Sequence, residues 1–91
     1  MTTFLEEVRR CQVWAKGQPI EGFDPNDWRR DDFGWTIRYA DYGDRNSAYG
    51  WEIDHVRPTA LGGYDHISNL RPLHCKCNAG LGGILGGLLG S

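Results

Sequence analysis

The stretch from Tyr49 to Asn78, YGWEIDHVRPTALGGYDHISNLRPLHCKCN, decides how this chain is read. Trp51, Ile53 and His55 alternate with Glu52 and Asp54 inside an extended run from Tyr49 to Val56. That two-residue period marks a strand with one buried face. Pro58 stops the run, and Gly62–Gly63 punctuates a loop. Leu70 to Leu73 reads as a second short strand, which Pro72 confines to a sheet edge. A final helix begins near His74, and four residues separate His74 from Asn78, so both share one helical face. The stretch thus predicts a hairpin followed by a helix. Asp54–His55 ends its first strand, Asn69 stands where the loop rejoins the second, and Asn78 lies on the helix.

Outward from it, the chain supplies support. Thr3 with Glu6 reads as a capping box that opens a helix over about 3–16. Phe4, Val8, Cys11 and Ala15 recur at helical spacing, flanked by Leu5 and Trp14, and predict an apolar face with Cys11 buried on it. Gly17 and Pro19 close the helix. Asp24–Pro25 suggests a cap and a single turn through Trp28. Arg29, Arg30, Asp31 and Asp32 form a mixed charge cluster, in which Arg29–Arg30 is either a solvated turn or a phosphate contact. Trp35, Ile37 and Tyr39 alternate with Thr36 and Arg38 as a further strand. Asp41 to Ser47 is turn chemistry. Ala79 to Ser91 is almost wholly Gly and Leu, too short an apolar run to span a bilayer, and reads as a frayed end.

At 91 residues the chain makes one domain. Its expected parts are the N-terminal helix, a loop and strand region at 17–48, the central unit at 49–80 and the tail at 80–91. A chain this short buries roughly 60–65% of its unfolded surface. Four Trp, four Tyr and three Phe compensate through large buried area per residue. Three cysteines cannot all pair, and Cys75 and Cys77 are too close in sequence for a good mutual bridge. With no charged-then-apolar leader at the start, a reducing cytoplasm is the expected location. A net charge of −2 argues against coating nucleic acid by bulk attraction. A bound cation and local arginines can still supply a positive field.

The central residues suit hydrolysis of a phosphodiester. That reaction needs an activated water in line with the leaving oxygen, and positive charge on the transition state. Asp54 offers one oxygen ligand to a divalent cation and the Asn78 amide a second. Mg²⁺ keeps most of its waters, so two protein oxygens suffice. His55 can take the proton from water, since imidazole titrates near neutrality. Adjacent residues on a plain strand point to opposite faces, so Asp54 and His55 converge only if the strand end twists. Asn69 can bond loop backbone and fix the loop.

The ordered set Asp54–His55, Gly62–Gly63, Asn69–Leu70 and Asn78 resembles the HNH endonuclease motif. The stretches WRRDDFG, YGD and SAYGWEIDH look like small stand-alone bacterial and phage members of that family. The resemblance implies an α+β fold with a ββα-metal (HNH, His-Me finger) core, an N-terminal helix and an additional short strand or hairpin. It implies Asp54 and Asn78 as metal ligands, His55 as general base and Asn69 as the residue that holds loop and base in place. His74 is then an accessory ligand, a phosphate contact or merely the residue opening the helix. Arg57, Arg71, Lys76, Arg29 and Arg30 are the candidate nucleic-acid contacts. The expected activity is metal-dependent hydrolysis of DNA with low sequence specificity. Mg²⁺ is the foremost cofactor, with Mn²⁺, Zn²⁺ or Ni²⁺ admitted. No structural zinc is expected, because no Cys-x-x-Cys precedes Asp54 to complete the His74–Cys77 half-site. DNA is the expected partner and no membrane is. One departure weakens the likeness: Leu81 stands where the family usually has Lys. The alternatives are a DNA-binding module without turnover, or a subunit of a larger phage packaging or restriction complex that is inactive alone.

Overall fold

A computed structural model describes residues 2–78. Those residues form one α-helix and two small antiparallel sheets, an α+β arrangement. Helix α1 spans Phe4–Trp14, and the Thr3 hydroxyl accepts from the Glu6 backbone N–H at 3.2 Å to cap it. Strands β1 (Gln18–Pro19), β2 (Trp28–Arg30) and β3 (Thr36–Arg38) make the first sheet in that order. Strands β4 (Trp51–His55) and β5 (Leu70–His74) make the second. The expected hairpin is therefore present, shorter by two residues at the start of its first strand. Its register pairs Trp51 with His74, Asp54 with Arg71 and His55 with Leu70. Backbone turns helical at Cys75–Asn78. The Gly/Leu tail from Ala79 lies outside the described residues.

The helix buries a different face from the one its apolar stripe suggests. Val13 and Trp14 are buried, whereas Phe4 and Leu5 are 77% and 76% exposed. Cys11 is exposed too, against the expectation of a core thiol. Its sulfur lies 3.2 Å from the Tyr39 hydroxyl. The reason is the aromatic centre of the molecule: Trp14 packs on Trp51 at 5.0 Å between ring centroids and edge-on to Tyr39 at 5.3 Å. One indole outweighs several small apolar groups in buried area. Trp14 thus sets the rotation of α1, and Arg9 and Arg10, one turn earlier on the same side, are carried inward to half-burial. Val13, Ile37, Leu70 and Trp51 complete the core.

Arg29 and Arg30 of the charge cluster lie in a strand, and Asp32 lies in the turn that follows it. Trp28–Arg30 is the middle strand of the first sheet, bonded to β1 on one side and β3 on the other. The preceding turn does form, with the Asp24 carboxylate accepting from Asn26 N and the Asp24 carbonyl from Trp28 N. Asp31, which follows β2, is only 2% exposed. One of its oxygens accepts from the Phe33 and Trp35 amides at 3.0 and 2.8 Å, the other from the His74 amide at 2.9 Å. A single carboxylate therefore ties the first sheet to the second.

Asp31→Ala leaves three backbone donors without that acceptor in a shielded place. A loss of on the order of 3 kcal/mol in unfolding free energy by urea titration is expected, with Asp31→Asn losing less.

Candidate functional site

The loop between β4 and β5 is held by Asn69. Its Oδ1 accepts from the Arg57 amide at 2.9 Å, and its Nδ2 donates to the Arg57 and Tyr64 carbonyls at 3.0 and 2.8 Å. One side chain thus takes the place of a strand at the end of the ladder. The glycine pair has a steric cause. Gly62 closes a short turn at φ +86°, and a Cβ on Gly63 would lie 1.8 Å from the Arg57 carbonyl oxygen.

Asp54 and His55 do not converge. The ladder runs through His55 and is extended by the Val56 N–H to the Asn69 carbonyl at 2.8 Å, so no twist breaks the strand alternation. Asp54 shares its face with Glu52. Its Oδ2 accepts from Arg71 Nε at 2.9 Å, directly across the hairpin. Arg71 also reaches Asp32 at 3.3 Å and stands over the Phe33 ring. Asn78 arrives on this side as well: its Nδ2 donates to Glu52 Oε1 at 3.1 Å, while Glu52 also accepts from Arg45. The structure thus brings Asp54, Glu52 and Asn78 to one face of the hairpin.

His55 lies on the other face, with Ile53, against α1. Its Nε2 is 2.9 Å from Asp65 Oδ1, and the same carboxylate oxygen accepts from Arg9. These groups border a cavity of about 400 Å³ whose walls include Arg10, Tyr42 and Ile53. The Arg10 guanidinium stands over the Tyr42 ring at 4.1 Å. Arg9 first, and then the His55 ring, hold the Asp65 carboxyl below the usual carboxylate range, so it is ionised at neutral pH. Asp65 and Arg9 escape sequence reasoning because Asp65 sits in a loop and α1 is distant along the chain. An acid within a loop otherwise full of turn residues was the available signal.

Several expected contacts have other duties. His74 is fully buried. Its Nε2 bonds the Ala48 carbonyl at 2.7 Å and its Nδ1 accepts from the Lys76 amide at 3.0 Å, so both ring nitrogens are taken. It stands directly before the helical turn at Cys75–Asn78. Arg29 donates to the carbonyls of Ala15, Gly17 and Pro25, a structural clamp between α1 and β2. Arg30 and Lys76 are exposed, and so is Arg57, whose Nε bonds the Leu61 carbonyl. Cys75 and Cys77 are buried, and burial pushes both thiols up.

Asp54 and Asn78 suit an oxygen-preferring cation. Among the described residues, Asp54 Oδ1 and Asn78 Oδ1 have no hydrogen-bond partner. Both are hard donors of the kind Mg²⁺ takes. No group of three or more His, Cys, Asp or Glu side chains is disposed around a common point among the described residues. Water and phosphate oxygens would have to complete the shell.

The family model described as HNH endonuclease matches residues 41–82, which include β4, the Asn69-stapled loop and β5. The match covers 42 of the 91 residues and marks this stretch as similar to HNH endonuclease domains. No curated protein and no solved structure matches the chain.

Asn69→Ala removes three hydrogen bonds from a partly solvated loop. About 1–3 kcal/mol of stability should be lost, with faster hydrogen exchange at the Arg57 amide than at the Leu73 amide.

Proposed function

We propose that this protein is a metal-dependent endonuclease that hydrolyses phosphodiester bonds of DNA with little sequence preference. The family match carries this reading, because its residues 41–82 include Asp54, His55, Asn69 and Asn78.

The divergence of Asp54 and His55 suits the reaction. In-line displacement puts attacking and leaving oxygens on opposite sides of phosphorus. Beyond the Tyr42–Trp51 bridge, the outer edge of β4 is unpaired among the described residues. A phosphate lying along that edge meets His55 on one side and the Asp54–Asn78 face on the other. His55 Nδ1, with no hydrogen bond among the described residues, takes a proton from water as the water oxygen bonds to phosphorus. The bond from phosphorus to the far oxygen breaks, and that oxygen leaves with the electron pair and is protonated from solvent. Asp54 and Asn78 would hold the cation, which when bound would supply positive charge at the reaction centre. Arg71 exchanges Asp54 for a substrate phosphate, keeping the pocket's charge balanced. Arg57 and Lys76, both exposed, extend the phosphate contact.

The Asp54–Arg71 pair also favours a second reading. A protein whose Arg71 never leaves Asp54 would bind DNA through the same shape without cutting it, or would need a further subunit to cut.

His55→Ala should lower plasmid cleavage by at least about 100-fold with an unchanged far-UV spectrum, and chelation by EDTA should do the same to the wild type. Cleavage that persists in both excludes a metal-dependent mechanism that uses His55 as its base. DNA binding without Mg²⁺-dependent cleavage in the wild type selects the non-catalytic module.

A further inference from the structure

We propose that Asp65 is a positioning residue for the general base: it accepts from His55 Nε2–H, fixes that tautomer, and so keeps Nδ1 as the proton acceptor. The inference rests on the reading of His55 as base and adds a residue and a helix to its machinery.

Three observations carry it. The Asp65 carboxylate does not serve its own loop: among the described residues its hydrogen bonds go to His55 and Arg9 alone. Loop closure belongs to Asn69, and the turn at Ile67–Asn69 is capped by the His66 ring. An imidazole has one donor and one acceptor nitrogen when neutral, so an ionised acceptor at Nε2 determines which is which. Arg9 donates to the same Asp65 oxygen, from a backbone position fixed on α1. It lies one turn before Val13 on α1, whose rotation is set by the burial of Val13 and Trp14. The N-terminal helix is thus coupled to the site through Arg9 and Asp65. An exposed ion pair is worth little as stability, since Asp65 is 64% exposed. Orientation of His55 is the purpose that this geometry serves.

The test begins with turnover-independent spectroscopy. Long-range ¹H–¹⁵N correlation spectra of metal-free protein report which His55 nitrogen carries the proton. The wild type should show the Nε2–H form, and Asp65→Ala a mixture of both. In cleavage assays Asp65→Ala should lower kcat by about 10- to 100-fold with KM unchanged, the range for losing a partner that orients a histidine. Asp65→Glu should recover part of the loss. Arg9→Gln should lower kcat in the wild type but add nothing in Asp65→Ala, because it acts through Asp65. An unchanged tautomer with full kcat in Asp65→Ala overturns the proposal. His55→Ala cleaving like the wild type overturns the base assignment instead, and the spectra then still decide whether Asp65 orients the ring.

Discussion

The antiparallel pairing of Trp51–His55 with Leu70–His74 is the constraint from which the rest of the molecule follows. A slip of one residue would send Trp51, Ile53 and His55 to the face now held by Glu52 and Asp54. Trp51 is fully buried against Trp14, so that exchange would expose an indole and bury two carboxylates. The same register sets Asp54 opposite Arg71. Asp31 then fastens the first sheet to the last residue of β5 through the His74 amide, and His74 passes the constraint to the helical turn by capping Lys76. Core packing and site geometry therefore have a common origin.

Much of this was legible in the residues. The alternation from Trp51 to His55 and the Pro72-bearing strand read directly, since a period of two and a missing N–H have simple consequences. Asn69 read as a loop staple for the same kind of reason: an amide after a glycine pair has backbone to bond. The misreadings share a cause, which is contact between distant segments. The stripe of Phe4, Val8 and Cys11 has the right period, yet the decision belonged to Trp14 and its partner thirty-seven residues on. Arg29 donates to the carbonyls of Ala15 and Gly17, partners more than ten residues away that its sequence neighbours do not announce. Asp31 looked like surface charge, and nothing local distinguishes it from Asp32.

Electrostatics at the site are closely balanced. Arg9, Arg45 and Arg71 each pair with a carboxylate: Asp65, Glu52 and Asp54 respectively. These three cations are thus already neutralised, and a net charge of −2 adds no bulk attraction for a phosphate backbone. A cation at Asp54 changes this locally by taking over the neutralising role of Arg71. Binding of DNA and of the cation should then support one another, each lowering the cost of the other's charge.

The central claim is that Asp54 and Asn78 share one ion on the face opposite His55. Anomalous diffraction from crystals soaked in Mn²⁺ addresses it most directly. A single strong peak is expected at roughly 2.1–2.3 Å from an Asp54 oxygen and the Asn78 amide oxygen, with Arg71 turned away from Asp54. A peak elsewhere, or none while Arg71 stays on Asp54, would contradict it.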